Sequence, residues 1–152
     1  MLARLEHVAD WSGRLASSAI PPSFQHHDVS PSNTFGPVAG PSRWIDVGDA
    51  FWSHPFAALQ VPGAMLTDTW PWGPDWNDRR ACVLADAYLG PWRDHDDPAS
   101  LRALLDPARR LAILHRCESW RRLVDLDGEL PDHPSMPILR DHLLAATGES
   151  RA

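Results

Sequence analysis

The apolar residues of this chain recur every three or four positions along much of its length, which is the spacing of one face of a helix. The first such stretch predicts a helix over residues 2–18, and Pro21-Pro22 ends it because proline cannot continue a helix. The apolar positions of this helix are Leu2, Leu5, Val8, Ala9 and Leu15. The pattern therefore predicts a mostly helical protein.

Two further helices are predicted in the middle of the chain. One covers residues 54–69 and is interrupted at Pro62-Gly63, since both residue types weaken a helix interior. The other begins after a tryptophan-rich loop, in which Asp75 is placed to cap the first turn. Gly90, followed by proline, predicts the end of that helix.

Three helices are predicted in the C-terminal half. A short one covers residues 98–105, and a long one starts at Asp106, because an N-cap carboxylate followed by Pro107 is a strong start signal. A last helix is predicted over residues 135–144. Arginines recur along the long helix, where a solvent-exposed face is the expected place for them. They are Arg109, Arg110, Arg116, Arg121 and Arg122.

The segment that precedes residue 54 has a different pattern. Residues 34–35 and 43–45 are predicted as two short strands, and the Gly- and Pro-rich residues 36–42 as the turn between them. Closing this β-hairpin would bring Asn33 and Asp46 to the same end of it. The predicted fold class is therefore mostly α with a small β-hairpin.

Two polar motifs flank the hairpin. Asp28 and Asn33 stand five positions apart, with His26 two positions before the Asp. The protein-kinase catalytic loop, H-x-D-x-x-x-x-N, has a base Asp and a metal-binding Asn at this interval and a metal-binding Asp downstream. The surrounding residues narrow the match. Residues 26–33 resemble the H-G-D-L-H-P-G-N loop of the aminoglycoside phosphotransferase and choline kinase-like family, and residues 45–56 resemble its I-D-W-G-D-A…H-P-F segment.

The resemblance implies a role for each motif residue. Residues 24–36 would form the catalytic loop, with Asp28 orienting or deprotonating the acceptor hydroxyl. Residues 44–50 would form the metal-binding segment, with Asp46 and Asn33 as Mg²⁺ ligands. Carboxylate and amide oxygens are ligands that Mg²⁺ accepts beside water and phosphate oxygens. His26 and Asp49 are expected to support the loop rather than to take part in the chemistry.

The sequence departs from the family pattern at three positions. His27 stands where Gly is common, Ser30 where His is common and Val47 where an aromatic residue is common. None of the three removes an expected metal ligand. A competing interpretation, a zinc site built from His26, His27 and Asp28, is disfavoured because adjacent residues rarely bind one ion together and H-E-x-x-H is missing.

The resemblance implies that residues 1–152 are a single domain, the C-terminal lobe of a protein-kinase-like fold with the N-terminal lobe absent. The implied function is small-molecule O-phosphotransfer, from ATP or GTP with Mg²⁺ to a hydroxyl of an aminoglycoside-like or amino-alcohol substrate. The acceptor stays open among aminoglycosides, choline, other amino alcohols, sugars and macrolides.

The composition complicates this prediction. All 14 basic residues are Arg, and the chain has neither a Lys nor a G-x-G-x-x-G loop with which kinases hold the nucleotide phosphates. Whether this chain alone is an enzyme is therefore left open. It is either an incomplete form of the phosphotransferase or a non-catalytic relic or binding module that retains the lobe. An interlobe face near Val29, Phe35, Trp44 and Ile45 would then be bare, and self-association is expected.

The net charge and the apolar content of the chain limit the classes of partner that it is expected to have. The net charge of −6 argues against a nucleic-acid partner and weakly favours a cationic small substrate. No apolar run is long enough to predict a membrane span. Cys82 and Cys117 lack metal-ligand spacing, so free thiols and a cytoplasmic location are expected.

Overall fold

In a computed structural model the protein is described for residues 2–37, 39–70, 72–127 and 136–147. The described residues form six α-helices, four short strands and three short 3₁₀ helices. The α-helices are α1 (Leu2–Ala16), α2 (Gln60–Thr67), α3 (Arg79–Leu89), α4 (Pro98–Ala103), α5 (Leu105–Asp127) and α6 (Met136–Thr147). The strands are β1 (Ser23–Gln25), β2 (Thr34–Phe35), β3 (Arg43–Trp44) and β4 (Phe51–Ser53). The 3₁₀ helices are Pro31–Asn33, Pro55–Leu59 and Gly90–Trp92.

The strands form two antiparallel pairs. β2 pairs with β3, with Thr34 opposite Trp44, so the predicted hairpin is confirmed. β1 pairs with β4, with Phe24 opposite Trp52, and this second sheet was not predicted. Three-residue strands joined across a long connection leave no alternating pattern in the sequence. The mostly helical class with a small β component is confirmed.

The starts of two helices, α3 and α5, differ from the predictions. Asp78, not Asp75, caps α3 by accepting from the Arg80 N–H at 2.7 Å. The predicted start of α4 at residue 98 is confirmed, and Asp97 caps it by accepting from the N–H groups of Ala99 and Ser100. The long helix α5 begins before Asp106, whose carboxylate pairs with arginines one turn later rather than capping the helix. The predicted start of the last helix, at residue 135, lies outside the described residues.

The predicted interruption at Pro62-Gly63 is wrong, because α2 runs through both residues. Pro62 lies in the first turn of α2, where its missing N–H costs no intrahelical hydrogen bond. Gly63 is required by packing, since a Cβ there would lie 2.7 Å from the Cβ of Pro74. The loop that follows α2 therefore closes directly onto this helix.

The long helix α5 is the centre of the molecule, and α1, α6 and the 3₁₀ helix Pro55–Leu59 pack around it. The buried side chains of the main core come from all of these elements except α6, whose Ala145 and Ala146 pack against Ile113 of α5 in a second, smaller cluster. Because these elements pack around it, helix α5 provides the rigid support beneath the loop that carries the polar motif.

None of the helices in the described ranges is long and apolar enough to cross a membrane.

Candidate functional site

His26 joins the two polar motifs. Its Nδ1 accepts a hydrogen bond from the backbone N–H of Asp28 at 3.2 Å, so the opposite ring nitrogen carries the proton. That nitrogen, Nε2, donates to the carbonyl oxygen of Ile45 at 2.8 Å. The ring is buried, which protects both hydrogen bonds from competition with water. His26 therefore ties the loop that holds Asp28 to the segment that holds Asp46.

Asn33 is held directly on Asp28. The Asn33 side-chain Nδ2 donates to the Asp28 carboxylate oxygen Oδ2 at 2.7 Å and to the Asp28 carbonyl oxygen at 3.1 Å. The 3₁₀ helix that begins at Pro31 turns the chain so that the two side chains meet. With its nitrogen engaged twice, the amide has a defined orientation, and its Oδ1 points away from Asp28.

The backbone brings the Asp46 segment alongside Asn33. The N–H of Ile45 donates to the carbonyl oxygen of Asn33 at 3.1 Å, which places Asp46 one residue beyond this contact. Asp46 has a left-handed backbone with φ of 60°, uncommon for a residue other than glycine and found preferentially at functional sites. Within the described ranges, no group donates a hydrogen bond to the Asp46 carboxylate or to Asn33 Oδ1.

Arg116 of α5 is buried under the same loop. Its guanidinium NH1 donates to the Asp49 carboxylate, and its NH2 donates to the His27 carbonyl oxygen. The same NH2 lies 3.5 Å from Oδ1 of Asp28. The prediction that the arginines of this helix form a solvated face is therefore wrong for Arg116. A period of three or four residues cannot reveal which arginine meets a loop 88 residues earlier in the chain.

His27 lies behind the loop in an apolar environment. It packs against Phe51 and His115, with ring centroids 4.7 and 5.0 Å away. Burial, reinforced by the positive charge of Arg116 and by His115, lowers the pKa of His27 to about 2. The backbone φ of His27 is 64°, a left-handed conformation that Gly adopts without strain and other residues adopt rarely.

Two cavities open beside the loop 24–36. One, of about 390 Å³, is lined largely by aromatic and aliphatic side chains, among them Trp44, Tyr88 and Trp92. The other, of about 520 Å³, is bounded by Val29, Pro62 and neighbouring residues. Both volumes suit small organic molecules. Val29 is half-buried, whereas the other expected interlobe side chains, Phe35, Trp44 and Ile45, are more than half exposed.

The candidate site therefore brings together Asp28, Asn33 and His26, which the sequence singled out, and it adds Arg116, which the sequence did not. Asp49 joins them through Arg116. His54 caps the 3₁₀ helix Pro55–Leu59 by accepting from the Phe56 N–H. The cysteines are free thiols. The described residues contain no group of three His, Cys, Asp or Glu side chains placed to bind one metal ion.

Comparison with protein-family models, with curated proteins and with solved structures returns no match for this chain. The family resemblance therefore rests on the sequence motifs alone.

Proposed function

We propose that this chain is the acceptor- and metal-binding lobe of a small-molecule O-phosphotransferase of the aminoglycoside phosphotransferase and choline kinase-like family. The observation that carries the proposal is the 2.7 Å hydrogen bond from Asn33 to the carboxylate of Asp28. It holds side by side the residue that would orient the acceptor hydroxyl and the residue that would bind metal, the two tasks that phosphoryl transfer needs on this side of the site. The cytoplasm suits such an enzyme, since its free thiols persist in a reducing compartment.

Asp28 would orient the acceptor hydroxyl and accept its proton. Its carboxylate is partly exposed, so a substrate can reach it. A small hydroxyl-bearing acceptor would occupy the aromatic-lined cavity beside His26 and Val29. The stacking faces in that cavity favour a planar, apolar or cationic body over a highly hydrated one.

Mg²⁺ fits the donor set offered by Asn33 and Asp46. An amide oxygen and an exposed carboxylate, both without a hydrogen-bond donor among the described residues, are typical of sites where Mg²⁺ keeps several waters and binds substrate phosphates. The ion, when bound, would neutralise charge on the phosphates of ATP or GTP. This site would use only two protein ligands. It is therefore compatible with the finding that the described residues contain no group of three His, Cys, Asp or Glu side chains placed to bind one ion.

A non-catalytic relic or binding module is the second candidate. One observation favours it, namely that the 152 residues contain no Lys to pair the nucleotide phosphates. Such a module would retain the loop geometry and metal affinity without turnover. Metal binding therefore tests the site, and turnover separates the two candidates.

Titration calorimetry with Mn²⁺ tests the metal assignment. We expect weak binding to the wild-type chain, because the phosphate ligands are missing, and none to Asp46→Ala. The Asp46→Gly variant repeats the test without strain, since Gly adopts a φ of 60° freely. Asp68→Gly is the matched control, because Asp68 is also exposed and left-handed but caps the end of α2. Equal Mn²⁺ affinity in wild type and both Asp46 variants would remove Asp46 from the site.

A further inference from the structure

Arg116 and its neighbour His115 on α5 both contact the two polar motifs from the helical core, and of the two it is Arg116 that also reaches the carboxylate of Asp28. It stands near the middle of α5, and its side chain is 6% exposed. Its partners are the carboxylates of Asp28 and Asp49 and the carbonyl oxygen of His27. Two of these partners belong to the loop 24–36 and one to the segment 44–50. The guanidinium therefore bridges the two segments from below.

The chemistry of the contact requires an arginine. A guanidinium presents its N–H donors in a rigid planar fork, so its two terminal nitrogens can serve partners on different segments at the same time. A lysine ammonium is a single point of charge and cannot span the same partners. A buried cation is also costly without such partners, which gives the loop and the segment a strong reason to adopt this one arrangement.

The contact also determines how Asn33 is presented. The two Asp28 carboxylate oxygens have different neighbours, with Arg116 at Oδ1 and the Asn33 amide nitrogen at Oδ2. If the carboxylate is held in this rotamer, the Asn33 amide keeps its nitrogen inward and its oxygen outward. If it is released, the amide can rotate and lose that orientation. The position of the presented oxygen thus depends on a residue that does not itself touch it.

We propose that Arg116 is a positioning residue, which orients the Asp28 carboxylate and, through it, the Asn33 amide oxygen as a metal ligand. The inference rests on the proposed function for the identity of the ligand, but the orientation of the amide can be measured independently. Arg116 acts through Asp28 and has no role in contact with substrate or metal.

The variants Arg116→Lys and Arg116→Gln separate charge from geometry. The first keeps the charge and loses the fork, and the second keeps one donor and loses the charge. Arg102→Gln is the matched control, because Arg102 forms an exposed ion pair with Asp86 away from the loop. The readouts on the full chain are the NMR resonances of the Asn33 side-chain NH₂, Mn²⁺ affinity and thermal stability.

We expect both Arg116 variants to move the Asn33 NH₂ resonances toward those of a free, solvent-exposed amide. We also expect them to weaken Mn²⁺ binding by about tenfold or more, the usual effect of removing an outer-shell partner. The Arg102 control should change neither. If Arg116→Gln does not fold, Arg116→Lys decides the outcome, because it retains the buried charge and the length of the side chain.

Two results would overturn the inference. Asn33 resonances at their wild-type positions in the folded Arg116→Lys variant would show that the amide does not depend on the guanidinium. Reduced thermal stability with wild-type resonances and wild-type Mn²⁺ affinity would make Arg116 a structural clamp only. If the wild-type chain binds no Mn²⁺, the metal assignment of the proposed function fails, while the Asn33 resonances still decide the role of Arg116.

Discussion

Acidification should destabilise this protein through His27. The side chain is 2% exposed, and both of its ring nitrogens lack a hydrogen-bond partner among the described residues. The groups that face it are Arg116 and His115 of α5, His142 of α6, the ring of Phe51 and the backbone of Ala112. The backbone of Ala112 favours the protonated ring, but burial and the positive charge of Arg116 oppose protonation more strongly. His27 is therefore neutral in the folded protein over the whole physiological range.

The magnitude follows from the two pKa values. The ordinary pKa of His is 6.5, and burial lowers that of folded His27 to about 2. Above pH 6.5 both states are neutral and the group contributes no pH dependence. Between these two values the unfolded chain binds one more proton than the folded one, so stability falls as pH falls. The loss is about 1.4 kcal/mol per pH unit, or about 2 kcal/mol at pH 5 relative to pH 7.

Urea unfolding of the wild type and of His27→Asn, measured between pH 7.5 and about 5, tests this. Asn tolerates the left-handed backbone at position 27 and does not titrate. Burial also lowers the pKa of His54, His115 and His142, but these slopes are common to both proteins. The difference between the two curves should therefore shrink by about 1.4 kcal/mol per pH unit below pH 6.5.

His95→Asn is the control for a His-to-Asn replacement as such, because His95 lies on an exposed turn. Parallel pH dependences for wild type and His27→Asn would refute the reasoning. They would mean that His27 is protonated in the folded state or becomes hydrated without unfolding.

Two further predictions concern the chain as a whole. Phosphotransfer by the 152-residue chain with ATP or GTP should not exceed background, because positioning of the γ-phosphate needs the Lys and Gly-rich loop that its sequence lacks; robust turnover in a coupled or radiometric assay would contradict this. The exposed apolar side chains around β1, β3 and β4, led by Trp52 at 70% exposure, should cause concentration-dependent self-association in light scattering. Trp52→Ser should reduce this self-association, whereas Asp28→Asn and the control Val83→Thr on α3 should not. A clean wild-type monomer at roughly millimolar concentration would count against an exposed apolar face.

Local sequence signals predicted much of the secondary structure. The helices and the hairpin follow from apolar spacing, Pro and Gly, whose effects act within a few residues. The errors in the helix predictions occur where a neighbouring element or tertiary packing overrides a local signal. Asp106-Pro107 has the residues of a helix start, yet α5 begins at Leu105 because the preceding turn of α4 passes directly into it. Pro62 and Gly63 are tolerated in α2 for reasons of position and packing.

The sequence by itself determined the identity and order of the polar groups, namely His26, Asp28, Asn33 and Asp46, and the hairpin that brings the two motifs together. Only the tertiary structure decided which distant side chain supports them. Arg116 has the same local pattern as Arg121 and Arg122, which are exposed on α5, and it is buried because the loop lies across that turn of the helix. Helical periodicity gives the spacing of residues on a helix, but contact with a segment far away in the chain depends on how the whole core packs.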